Sequence, residues 1–111
     1  MTSYAIRINT ESHKYPDLSV LFSYFKKQTL NSVWQYEITE EENDFTNAIE
    51  ILTNQIEDNL NALRKLDIEI DDVSLWYLYE YDGQCNMEFS PAELSAISKL
   101  GLTLCISCWE K

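Results

Sequence analysis

The spacing of apolar residues changes several times along this chain, and each change marks an element. Tyr4-Ala5-Ile6-Arg7-Ile8 alternates, which predicts a first strand with Tyr4, Ile6 and Ile8 on one face and Ala5 and Arg7 on the other. Thr10 to Pro16 is polar and reads as a loop. Asp17 is placed to cap a helix carrying Leu18, Leu21, Phe22 and Phe25 at three- and four-residue spacing. Leu30-Asn31-Ser32 breaks that helix, and Val33 to Thr39 alternates as a second strand. From about Asp44 to Lys65, one stripe runs through Phe45, Ala48, Ile49, Leu52, Ile56, Leu60 and Leu63, the pattern of a long amphipathic helix. Leu66 to Asp72 is an acidic connection. Strands are expected near 73–81 and 84–89, joined at Asp82-Gly83. Ser90-Pro91-Ala92-Glu93 is a capping box with proline at the first helical position. The helix it opens is expected to turn Leu94, Ile97 and Leu100 inward and to stop at Gly101. The last strand runs from Leu102 to Trp109, with Thr103, Cys105, Ser107 and Trp109 in one of its two rows.

The Asp82-Gly83 pair suits a two-residue hairpin turn, because such a turn needs positive φ. The register that follows pairs Tyr81 with Gln84, Tyr79 with Asn86 and Tyr77 with Glu88. Glu80 then faces Cys85, Leu78 faces Met87 and Trp76 faces Phe89. Side chains alternate with period two, so the two rows stay apart. On this reading Tyr77, Tyr79, Tyr81 and Glu88 share a face with Trp109, Thr103 and Ser107, turned away from the helices. Tyrosine is a good strand former in its own right, so such a row can exist without a partner. Tyrosine and tryptophan are also enriched among binding hot spots, which makes the row a candidate docking surface.

Three amphipathic helices need one apolar sheet face to cover. The expected architecture is a single domain over residues 1–111, of the α+β class. It is a two-layer sandwich whose antiparallel or mixed sheet of about five strands carries three helices on one face. With 111 residues and a hydrophobic fraction of 45%, there is room for one core.

Charge narrows the choice of partner. The formal net charge is −11, and most of the 19 acidic residues lie between Glu37 and Glu93. Such a surface repels phosphate, which disfavours nucleic acid and anionic membranes and favours a basic protein. Glu40, Glu41 and Glu42, before the long helix, and Asp71 and Asp72, before the tyrosine strand, are candidate contacts. The helix dipole gives the first cluster a purely structural use as well. No apolar run is long enough to span a bilayer, and the N-terminus carries no export pattern, so a cytoplasmic protein is expected.

Chemistry for catalysis is sparse. His13 is the single histidine and sits in a polar loop, and two glycines leave none for a phosphate-binding loop. Cys105-Ile-Ser-Cys108 has the spacing of a redox or zinc motif, but on a strand its two side chains point to opposite faces. Glu80, set beside Cys85 by the hairpin register, is the carboxylate to watch. The expectation is a non-enzyme with no metal and no cofactor.

The run Val73-Ser74-Leu75-Trp76-Tyr77-Leu78-Tyr79, then Asn86-Met87-Glu88-Phe89-Ser90-Pro91-Ala92-Glu93-Leu94, then Lys99-Leu100-Gly101-Leu102-Thr103-Leu104-Cys105-Ile106 resembles a widespread family of small bacterial domains of unknown function. The resemblance covers about a third of the chain and rests on caps and turns. It implies an α+β domain often encoded near polymorphic-toxin genes, where small acidic neighbours act as immunity proteins. The expected function is therefore inhibition of a cognate toxin, such as a basic nuclease, by direct binding. The alternative is a structural or regulatory homodimer joined through its tyrosine face or an edge strand.

Overall fold

The computed structural model describes residues 2–22, 27–30, 33–39 and 48–111. Five strands form one mixed sheet in the order β2-β3-β1-β4-β5. They are β1 (Thr2–Asn9), β2 (Lys27–Leu30), β3 (Val33–Thr39), β4 (Val73–Tyr81) and β5 (Thr103–Glu110). The helices are α1 (Tyr15–Leu21), α2 (Ala48–Asp58), α3 (Leu60–Lys65) and α4 (Pro91–Leu100), with short 3-10 turns at Ser12–Lys14 and Ile70–Asp72. The α+β class and the mixed sheet follow the pattern of the sequence.

β1 is the central strand. It pairs antiparallel with β3 on one side and with β4 on the other. Its alternation sorts Tyr4, Ile6 and Ile8 to one face and Ser3, Ala5 and Arg7 to the opposite one. The first face carries the helices. Phe22 packs against Trp34 and Tyr36 at 5.4 and 5.9 Å between ring centroids. The Trp34 indole donates to Ser19 Oγ, and the Tyr36 hydroxyl donates to Gln55 Oε1. Ile6, Ile8, Trp34, Tyr36, Ile49, Leu52, Ile56 and Leu75 are fully buried in this layer, and burying each such side chain contributes about 1.5–3 kcal/mol.

The long helical stripe is divided at Asn59, while its buried residues keep the expected phase. The Asn59 amide donates to Ile56, three residues back, and its side-chain amide donates to the Gln55 carbonyl. Asparagine competes in this way for backbone partners and favours helix ends. The start expected at Asp44 and Phe45, the helix residue Phe25 and the acidic Glu40, Glu41 and Glu42 lie outside the described residues. α1 begins at Tyr15, with Asp17 in its first turn rather than at its cap. Lys27–Leu30, a short polar segment without clear alternation, pairs with β3.

The largest correction concerns residues 82–90. Gly83 does take positive φ, at 78°, and Asp82 and Gln84 form a single antiparallel bridge. The chain therefore reverses as expected, but residues 85–89 do not enter the sheet. Both sides of β4 are already taken, by β1 and by β5 in parallel register. A parallel neighbour needs a crossover, and α4 supplies it. Thr103 to Trp109 is rich in β-branched, aromatic and small side chains. Gln84, Asn86 and Glu88 are poorer strand formers, so β5 wins the edge.

α4 forms as its local signals dictate. Ser90 Oγ accepts from the Glu93 amide and Glu93 Oε1 accepts from the Ser90 amide, closing the capping box. Gly101 sits at φ 69°, and the Gly101 and Leu102 amides donate to Ser98 and Ile97. Ile97 is buried, but Leu94 is 49% exposed and does not face inward as expected.

A candidate protein-binding face

The sheet face opposite the helices, which carries no helix among the described residues, joins polar and aromatic side chains into a network. Three cross-strand rows build it. Glu37, Ala5, Trp76 and Cys105 lie side by side across β3, β1, β4 and β5. Gln35, Arg7, Ser74 and Thr103 form the row on one side, and Thr39, Ser3, Leu78 and Ser107 the row on the other. Glu80 and Trp109 continue the face along β4 and β5.

These side chains hold one another. Arg7 Nε donates to Gln35 Oε1 at 2.6 Å, and Gln35 Nε2 donates to Glu37 Oε2 at 3.0 Å. Ser3 Oγ donates to the other Glu37 oxygen at 2.8 Å. The Arg7 guanidinium also lies over the Trp76 ring, 4.0 Å from its centroid, a geometry in which the ring quadrupole attracts the cation. The Trp76 indole donates to Ser74 Oγ at 2.8 Å, and the Trp109 indole donates to Glu80 Oε2 at 3.1 Å.

The packing is tight enough to bury Ser3, Ala5 and Gln35 beneath their larger neighbours. Arg7, Glu37, Trp76, Leu78 and Glu80 remain half-buried, and Trp109 is 43% exposed. Most of these aromatic and charged groups are already ordered and partly dry. Binding a partner through them costs little further side-chain entropy.

The tyrosine row lies on the other side of the sheet. Val73 and Leu75 are buried under the helical layer, and Tyr77, Tyr79 and Tyr81 share their parity. Tyr77 is only 9% exposed, with Tyr4 at 5.1 Å and Phe89 edge-on at 5.5 Å. Tyr79 stacks on Tyr77 at 5.7 Å, and Tyr81 stacks on Tyr79 at 6.4 Å. The hairpin register assigned these rings to the uncovered face. The start of the strand decides otherwise, because its two aliphatic residues must reach the core.

The remaining candidates are scattered. Trp109 is on the uncovered face, as expected, with Thr103 and Ser107. Glu88 is exposed on the segment that follows the turn. Asp72 closes the 3-10 turn before β4 by accepting from the Glu69 amide, and Asp71 is exposed beside it. Asp72 precedes β4, whereas Trp109 lies level with Glu80 near its far end, about 26 Å away at strand spacing. Glu80 is on the uncovered face, away from Cys85.

Cys85 instead meets Cys108 from the helical side. Partial loss of water around its sulfur pushes the Cys85 thiol up, and Cys108 adds to this by hydrogen bonding and charge repulsion. Cys105 and Cys108 point to opposite faces, level with Trp76 and Tyr79 respectively. Among the described residues, no group of three His, Cys, Asp or Glu side chains is placed to hold a metal ion. A cleft of about 320 Å³ lies between α2 and α4, and one of about 250 Å³ lies between α1 and α3. No helix among the described residues is long and apolar enough to cross a membrane.

Arg7, Gln35, Glu37, Trp76 and Leu78 were not singled out by sequence reasoning. A usable signal was present: Ala5 and Arg7 form the polar row of the central strand, so their cross-strand neighbours must form the uncovered face. Comparison with protein-family models, curated proteins and solved structures finds no match to this chain.

Proposed function

We propose that this chain is an acidic protein-binding module that docks through the uncovered sheet face, and that it serves as an immunity protein inhibiting a cognate, basic toxin in the cytoplasm of the cell that makes it. The observation that carries the docking reading is the ordered array of Arg7, Trp76, Glu37 and Trp109 on a face without a helical layer among the described residues. Tryptophan and arginine are enriched among binding hot spots. The net charge of −11 supports a basic partner and an electrostatically steered encounter. The toxin setting rests on the resemblance of the C-terminal third and on this charge.

The test is co-expression with the product of the adjacent upstream gene, followed by binding measurements on the purified pair. The expected result is a one-to-one complex whose association slows with added salt, together with relief of growth arrest. Trp76→Ala with Trp109→Ala should abolish both. Absence of any complex would remove the toxin reading. A complex unaffected by the double substitution would move the docking site elsewhere.

A further inference from the structure

β5 is a terminal strand of the sheet, and its outer edge pairs with no strand among the described residues. Thr103-Leu104-Cys105-Ile106-Ser107-Cys108-Trp109 contains no charge, no proline and no glycine. Ile106 is 46% exposed and Trp109 is 43% exposed. Proteins usually protect such an edge with lysine, proline, a bulge or a covering loop, because its free N–H and C=O groups accept another strand. Here the charges, Glu110 and Lys111, come only at its end.

We propose that this edge pairs antiparallel with β5 of a second copy about a two-fold axis, joining two sheets into one. This goes beyond the docking face described above and does not depend on it. Charge selects the occupant. In a chain of net charge −11, most surfaces repel a second copy, whereas β5 offers a neutral strip. The same neutrality gives a basic peptide no carboxylate to recognise between Thr103 and Trp109.

The two-fold also restricts the register. An axis normal to the sheet keeps both helical layers on one side, so each residue faces one of its own parity. Centring the pair on Ile106 sets Ile106 against Ile106, Leu104 against Cys108, Cys105 against Ser107 and Thr103 against Trp109 of the second copy. Glu110 then lies level with Leu102 of the other chain. The two Glu110 carboxylates stand eight residues apart, about 26 Å at strand spacing, well beyond the screening length of about 8 Å at physiological ionic strength. The contact is small, so a concentration-dependent dimer is expected.

Sedimentation equilibrium of the full chain from low to high micromolar concentration tests this, with amide exchange followed by NMR in parallel. The expected mass rises from 13.0 kDa toward twice that value, and β5 amides gain protection over the same range. Ile106→Lys should hold the mass at 13.0 kDa with an unchanged far-UV spectrum, while Trp76→Ala should still dimerise. If the lysine variant fails to fold, the concentration dependence of β5 exchange in the unmodified chain decides. A constant monomer mass overturns the proposal, as does a dimer without β5 protection. A monomer whose β5 is protected only on adding an alternating Lys–Val peptide assigns the edge to an extended partner and also overturns it.

Discussion

The guanidinium carbon of Arg7 lies 4.0 Å from the centre of the Trp76 ring, and the Nε of the same side chain donates to Gln35. One arginine on the central strand thus ties β3 to β4 across the uncovered face. Arg7→Ala removes the cation–π contact and leaves the buried Gln35 carbonyl oxygen without its donor. The expected loss is about 1–2 kcal/mol in urea unfolding. Arg7→Lys should lose less, because a cation remains. A change in tryptophan fluorescence should accompany both substitutions.

Trp76 and Trp109 are expected to dominate binding while contributing little to the core. Replacing either by alanine should weaken a partner complex by about 2 kcal/mol or more, roughly thirtyfold, with the far-UV spectrum retained. Tyr77→Ala is the contrasting case. It opens a cavity among Tyr4, Tyr79 and Phe89, so it should cost stability by about 3–5 kcal/mol. Calorimetry and titration of the three variants separate the two roles.

Two helix ends make opposite predictions. α3 ends with Asp67 at φ 58°, and the Asp67 and Ile68 amides donate to Arg64 and Leu63. This is the hydrogen bonding of a glycine-type cap with an aspartate in the glycine position. Asp67→Gly relieves the left-handed strain and removes a carboxylate from a helix C-terminus. It should stabilise the protein by about 1 kcal/mol. Gly101→Ala puts a side chain at φ 69°, where its Cβ meets no atom within 4 Å. It should cost about 1 kcal/mol through the backbone alone. Thermal unfolding of the two variants gives the signs.

The raised Cys85 thiol predicts its reactivity. Alkylation of Cys85 by iodoacetamide, followed by peptide mass spectrometry, should rise at higher pH than for a free thiol. Cys108→Ala should move the profile down by removing the hydrogen bond and the charge repulsion. The linked stability has a definite sign. The folded chain holds this proton more tightly than the unfolded one, so the contribution is present below the ordinary thiol pKa and is lost as pH rises through the folded value. An unchanged profile in the alanine variant would show that Cys108 plays no part.

Local signals were legible because their physics is local. The capping box of α4, its stop at Gly101 and the reversal at Gly83 each depend on a few consecutive residues. The alternation of β1 and β3 and the buried phase of α2 and α3 were legible for the same reason. The expected hairpin went wrong one step later, since a turn reverses the chain without choosing which strand fills the edge. The candidate site suffered most. Its phase followed from the turn, whereas Val73 and Leu75, at the other end of the strand, had the stronger claim on the core.

By itself, then, the order of residues determined the class of fold, most of its elements, the two faces of the central strand and the strongly acidic net charge. Only the tertiary structure decided that β5 lies parallel to β4, that the tyrosines turn toward the helices and that Arg7 and Trp76 meet. Period-two alternation leaves the two faces of a strand equivalent until something covers one of them, and the covering helices come from distant parts of the chain.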